Sequence, residues 1–133
     1  MASDAPLEAR VRIALRWRDM DMLGHLNQAV YHELLEEVRG ALLDSLREEA
    51  RFPFVLARVE LDYRREVRRA DSHVDVVARV VAVGRTSVIL EHDILLPDGV
   101  TAASGRSVLV AWDPDARAAR PLSGAERAAL GAG

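Results

Sequence analysis

The sequence predicts an α+β fold, with one long helix packed across a five-stranded antiparallel sheet. Three observations predict it. An apolar repeat of helical spacing runs from about residue 28 to about residue 49. One segment before it and four after it carry the alternation or apolar density of strands. The connections between the last strands are short and rich in turn residues, which demands antiparallel pairing. One helix cannot cover both faces of such a sheet, so the other face, or an edge, is left needing a partner.

The elements follow in order. Residues 1–8 read as a lead-in. From 9 to 18 the alternation is clean: Val11, Ile13, Leu15 and Trp17 point one way, Arg10, Arg12, Arg16 and Arg18 the other. A polar loop spans 19–27. The helix then shows Val30, Leu34, Val38, Leu42 and Leu46 at i+4 spacing, widened by Leu35 and Ala41, with Asn27 as N-cap. Pro53 closes the connection that follows. Residues 54–67 alternate Val55, Ala57, Val59, Leu61 and Tyr63 against Leu56, Arg58, Glu60, Asp62 and Arg64. Residues 74–83 are so rich in Val and Ala that both faces read as buried. Gly84-Arg85-Thr86 is a turn, 87–96 a strand, Pro97-Asp98-Gly99 a hairpin turn and 100–112 the last long strand. A loop with two prolines leads to a short helix at 123–130, where Ser123 and Glu126 form a capping-box pattern.

Composition bounds the function. The 133 residues suit a single domain, with its core at about 9–113. The net charge of −3 gives no basic excess for nucleic acid, and all 18 basic residues are arginine. Without cysteine there is no thiol nucleophile, disulfide or thiolate metal site. No apolar leader and no membrane-length apolar run is present, so the expectation is a soluble cytoplasmic protein that touches neither membrane nor nucleic acid. His32, His73 and His92 are scattered without metal-ligand spacing, so no metal is expected.

Chemistry concentrates in 21–27, where acid, glycine, imidazole and amide stand just before the helix. The free N–H groups and positive dipole end of a helix start favour anions and developing oxyanions. A carboxylate beside such donors suits acyl transfer or hydrolysis.

Asp19, Asp21, Gly24, His25, Asn27, Tyr31 and Glu36 spell D-x-D-x-x-G-H-x-N-x-x-x-Y-x-x-x-x-E between a strand and a long helix. This pattern resembles the hotdog-fold thioesterases, in the 4-hydroxybenzoyl-CoA thioesterase-like branch and its acyl-CoA thioesterase relatives. Asp62-Tyr63, Asp71 and Gly84-Arg85-Thr86-Ser87 add to the resemblance, which covers about 9–113. The loop is also similar to the D-x-D-x-x-x-H-x-N-N segment of plant acyl-ACP thioesterases. Two departures stand out: Asn27-Gln28 where many relatives have Asn-Asn, and Arg64-Arg65-Glu66 where relatives usually carry a proline.

The resemblance implies a hotdog fold and an enzyme that hydrolyses an acyl-CoA or acyl-ACP thioester. Asp21 falls on the catalytic carboxylate, as nucleophile or as general base. His25 and Asn27 join it in the pocket, Gly24 and His25 lie where backbone N–H groups hold the thioester carbonyl, and the amides of 24–27 are the expected oxyanion donors. Tyr31 and Glu36 are further pocket candidates, and Arg85 is the first candidate for the phosphates of CoA, ahead of Arg58, Arg64 and Arg65. CoA is part of the substrate, so no separate cofactor is expected. The implied assembly is a homodimer with the pocket at its interface, or a homotetramer made of two such dimers. Two alternatives remain: a non-catalytic acyl-CoA-binding hotdog protein, and a hotdog hydratase or dehydratase. The latter's G-D-x-N-P-x-H segment is absent.

Overall fold

The computed structural model describes residues 7–131, so most of the lead-in and the last two residues lie outside the described residues. The elements are β1 (Glu8–Ala14), α1 (Gln28–Asp44), β2 (Phe54–Tyr63), β3 (His73–Val83), β4 (Ser87–Leu95), β5 (Thr101–Asp113), β6 (Ala118–Ala119) and α2 (Gly124–Ala129). The five long strands form one antiparallel sheet in the order β1-β3-β4-β5-β2, and α1 packs against it over β1 and β3. This is the hotdog arrangement that the sequence predicts. The two-residue β6, which the sequence does not signal, pairs with the end of β5. No helix of the described residues is long and apolar enough to cross a membrane.

Helix α1 begins where predicted and ends earlier. The Asn27 side chain accepts the Ala29 N–H at 3.0 Å, and Tyr31, Leu34, Leu35, Val38, Leu42 and Leu43 form the buried stripe. The helix stops at Asp44 instead of continuing to residue 49. The Arg51 guanidinium folds back and donates to the carbonyls of Asp44 (2.8 Å) and Leu46 (3.1 Å), satisfying acceptors that a longer helix would have used. Strand β1 likewise ends at Ala14, four residues short. Arg16 donates its backbone N–H and its guanidinium to the Asp19 carboxylate, each at 2.8 Å, which turns the chain. Trp17 therefore leaves the apolar face of the strand and stands 81% exposed.

Strand β2 carries a bulge between Leu56 and Arg58, and the bulge shifts its parity. Phe54 packs on one side of the bulge while Val59 and Leu61 pack on the other, and Val55 is turned to solvent. The uninterrupted alternation expected from Val55 to Tyr63 is thus broken. A Cβ on Gly105 of β5 would collide with the Glu60 carbonyl oxygen, so glycine is what permits β2 to lie this close.

The two faces of the sheet differ. On the outer face, register sets Glu8, Arg79, Glu91, Arg106 and Glu60 in one row across all five strands, with alternating sign. Glu91 accepts from Arg79 and from Arg106, each at 2.9 Å. Asp75 of β3 accepts from Arg10 at 2.7 Å and Arg12 at 2.9 Å of β1. The helix-facing side carries the core in two apolar clusters, one around Leu35, Val38, Val76 and Ile94, the other around Leu42, Leu90, Leu109 and Leu130. Between them lie Arg39 (6% exposed), Ser107 (0%) and His92 (1%). His92 Nε2 sits 2.9 Å from Ser107 Oγ, to which Arg39 donates at 3.4 Å. Burial, and then the Arg39 charge, push the His92 imidazole from 6.5 down to about 4, so it is neutral at physiological pH. Helix α2 docks on the second cluster through Leu122 and Leu130. Its capping box forms as predicted, with Arg120 gripping Glu126 at 2.7 and 2.8 Å.

Two measurements check this account. Hydrogen bonds from Arg12 and Arg10 hold the Asp75 carboxyl down from 3.8 to about 2. Its folded value is depressed, so its contribution is full above the ordinary carboxylate value and is lost as pH falls towards 2. Asp75→Asn should be less stable at neutral pH and should lack that part of the acid-induced loss. Identical pH dependence of the melting temperature in both proteins would remove Asp75 from the account. Gly105→Ala should force β2 away from β5 and destabilise the fold by about 1–3 kcal/mol or more, read by urea unfolding. An unchanged midpoint would refute the close approach.

Candidate active site

The loop between β1 and α1 is a miniature hairpin. Met20 and Leu26 pair as an antiparallel bridge, and the Asp21 N–H donates to the His25 carbonyl at 2.8 Å. The Gly24 N–H returns to the Asp21 carbonyl at 3.1 Å, and Gly24 takes a φ of +78°, which glycine adopts without strain. Asp21 closes the tip with its side chain. Its Oδ1 accepts the N–H groups of Leu23 (2.9 Å) and His25 (3.1 Å). Oδ2 has no hydrogen-bond partner among the described residues. One carboxylate oxygen is thus held by the backbone while the other is unpaired.

Two further contacts tie the hairpin down. The Asn27 N–H donates to the Asp19 carbonyl at 2.8 Å, and the Leu26 N–H to the Val67 carbonyl at 2.8 Å. Burial works to raise the Asp19 carboxyl, but the Arg16 bonds outweigh it and hold the group below its ordinary value. Asp19 is therefore an anchoring charge. The contact with Val67 extends to a bridge between His25 and Arg68, so the segment after β2 lies against the loop.

A cleft of about 360 Å³ opens here, lined by Asp21, His25, Leu26, Gln28, Tyr31, Tyr63, Arg64, Arg65 and Glu66. Of the candidates read from the sequence, the structure gathers Asp21, His25 and Tyr31 into it, with Gly24 in the adjoining turn. Tyr31 is buried edge-on against Tyr63, with ring centroids 4.9 Å apart. Burial first, then Tyr63 and the Asp21 charge, raise its phenol above 10, so it remains a hydroxyl donor at neutral pH. Asn27 is not in the lining, and its side-chain oxygen is used as the helix cap. Glu36 is exposed on α1, two turns on and outside the cleft. Arg85 sits in the β3–β4 turn, at the end of the sheet opposite the Asp21 loop, beside a separate cleft with Arg127 and Leu122.

The amides from Gly24 to Asn27, expected as donors to a bound carbonyl, are all engaged within the loop and its contacts. The Gln28 N–H, in the first turn of α1 and on the cleft wall, has no partner among the described residues. The sequence did not single out Gln28, Tyr63 or Glu66 as site residues, whereas Arg64 and Arg65, the weaker phosphate candidates, line the cleft. His25 Nε2 pairs with Glu66 Oε2 at 2.7 Å, and the only sequence signal at Glu66 is its place in a segment where relatives of the loop motif usually carry proline. Among the described residues no three His, Asp or Glu side chains gather as a metal-binding set.

Comparison with known proteins bears on this site. The thioesterase-like superfamily matches residues 15–130. A thioesterase of Thermus thermophilus, solved with coenzyme A and zinc, is 37% identical over 91% of this chain and 90% of its own, with a TM-score of 0.81. A Xanthomonas campestris protein assigned as an acyl-CoA thioesterase is 35% identical over 83% of this chain and 96% of its own, with a TM-score of 0.71. An Escherichia coli protein assigned as a thioesterase is 26% identical over 92% and 96%, with a TM-score of 0.81. Comparison with curated protein sequences gives no match. The chain belongs to the thioesterase-like superfamily and is a thioester hydrolase of the hotdog fold.

Proposed function

We propose that this protein hydrolyses acyl-CoA thioesters to free CoA and a carboxylate, with Asp21 as the reacting carboxylate. The observation that carries this is the state of Asp21, whose Oδ1 is pinned by two backbone amides while Oδ2 is unpartnered in a cleft with His25 and Tyr31. A carboxylate oriented in this way needs little reorganisation before attack. Either Oδ2 adds to the thioester carbonyl carbon, expelling the thiolate and leaving a mixed anhydride for water to open, or it takes a proton from the water that attacks. The Gln28 N–H, backed by the α1 dipole, is the donor best placed for the developing oxyanion, and the Gly24 amide can join by releasing its 3.1 Å bond to Asp21. Asn27 serves this site by capping the helix that presents Gln28.

The working unit in this reading is a dimer. Strand β2 is an edge of the sheet, ten residues long and free of proline after its start, and α1 leaves its inner side half-exposed at Val59 and Leu61. Pairing of β2 with its own copy makes an isologous contact. Trp17, Met22 and Leu23, large apolar side chains exposed on or beside the loop, gain a second wall to cover them. Arg85, remote from Asp21 within one chain, then serves the phosphates of a CoA held by the other subunit.

Asp21→Asn should keep the fold, because the amide oxygen still accepts from Leu23 and His25, and should lose roughly a hundredfold or more in kcat. Thiol release from a panel of acyl-CoAs measures this, and wild-type turnover in the variant would end the assignment. Sedimentation equilibrium across a dilution series should show a dimer. Val59→Pro should abolish dimer and activity together. A monomer with full specific activity would refute the shared pocket.

A further inference from the structure

Glu66 lies beyond β2, some forty residues from the loop motif, yet it enters the cleft beside Asp21. The bridge between His25 and Arg68 puts this segment alongside the loop. Glu66, two residues from Arg68, is the diagonal neighbour of His25 on the same side. That register brings Glu66 Oε2 to 2.7 Å from His25 Nε2, while Glu66 Oε1 lies 3.6 Å from the Arg68 guanidinium. Glu66 also borders a second cleft, of about 570 Å³, with Arg65, Arg68, Asp71 and Leu96, so it stands where the two clefts meet.

The chemistry of the pair fixes more than a contact. At 2.7 Å from a carboxylate oxygen, a lone pair on Nε2 would meet the oxygen lone pairs, so this contact favours a proton on Nε2. In the neutral ring the proton is then on Nε2, and Nδ1 is left as an acceptor. A ring without such a partner interchanges its two tautomers, and only one of them is useful to a given proton transfer. His25 and Glu66 are each about half-exposed, so water competes for the pair until substrate fills the cleft and excludes it.

We propose that Glu66 is a positioning residue for His25, selecting the Nε2–H tautomer so that Nδ1 carries protons in thioester hydrolysis. This role rests on the thioesterase reading of the cleft. In the general-base route, Asp21 Oδ2 takes the proton of the attacking water as the C–O bond to the acyl carbon forms, and hands that proton to Nδ1. The C–S bond breaks with its electron pair going to sulfur, and the proton held on the imidazolium passes to the thiolate. The Glu66 carboxylate stabilises the imidazolium during the interval, and no other reactant is needed.

The test uses the full chain with Glu66→Ala, Glu66→Gln, His25→Gln and the double variant His25→Gln/Glu66→Ala, assayed on the acyl-CoA panel. Glu66→Ala should lower kcat on the order of tenfold or more while KM stays within about twofold. Glu66→Gln, whose amide oxygen still accepts from Nε2–H, should recover most of that loss. Glu66→Ala should add nothing in the His25→Gln background. Nitrogen-15 NMR of the imidazoles should show His25 protonated on Nε2 in the wild type and a mixture of tautomers in Glu66→Ala, whatever the activity. Wild-type kcat in Glu66→Ala, an additive loss in the double variant, or an unchanged His25 tautomer would each overturn the role. A wild-type protein inactive on the whole panel overturns the thioesterase reading and this role with it. An active wild type indifferent to Glu66 overturns this role alone.

Discussion

The need to pair backbone amides between β1 and α1 shapes everything at the cleft. An N–H without an acceptor is destabilising by about 1–3 kcal/mol where it is buried, as at Leu26, and by less at the exposed positions Asp21 to Gly24. Seven residues, from Asp21 to Asn27, must reverse direction and enter a helix in that space. The chain meets the need with two aspartates and the segment after β2. Asp21 accepts two amides through its side chain, Asp19 accepts one through its carbonyl, and Val67 accepts one from the adjoining segment. The same bonds that hold the loop leave one Asp21 oxygen and the Gln28 amide unpaired among the described residues, on two residues that line one cleft.

The sheet below answers a different constraint. A single helix covers one face, and the outer face avoids being an apolar surface by carrying charges in cross-strand register. Each of these pairs is worth little at the surface, but the alternation of sign also disfavours a slip of one strand against the next, which would set like charges opposite each other. The sheet leaves two edges, β1 and β2, without a neighbouring strand among the described residues.

What the sequence revealed and what it hid follow from the range of the interactions involved. The Asp21 loop, the Asn27 cap and the Ser123 capping box are local, set by residues within four positions of one another, so the loop is legible in place and the two caps in place and in role. The end of α1 was not, because Arg51, seven residues past Asp44, competes for its last carbonyls. The departure of Trp17 from β1 depends on Arg16 and Asp19 closing a turn that period-2 alternation conceals. The parity of β2 was misread because a bulge leaves no mark in composition when its residues are Leu56, Ala57 and Arg58. Glu66 was noticed only as an oddity in a motif. Its pairing with His25 exists through a tertiary bridge that no spacing along the chain announces.

The layer of Arg39, Ser107 and His92 has a consequence for where α1 can sit. Along each of three elements the polar residue is flanked by members of both apolar clusters: Val38 and Leu42 on α1, Ile94 and Leu90 on β4, Ala103 and Leu109 on β5. Sliding the helix by one turn would exchange Arg39 for Leu35 or Leu43 at Ser107 and drive the guanidinium in among leucine and valine. Apolar contacts alone would tolerate that slip, since leucine against leucine is much the same one turn along. A buried cation does not tolerate it, because Ser107 is the one side chain it hydrogen-bonds among the described residues. The layer therefore acts as a vernier between helix and sheet, and the start of α1, with Gln28 and Tyr31 on the cleft wall, inherits its position from a contact two to three turns away.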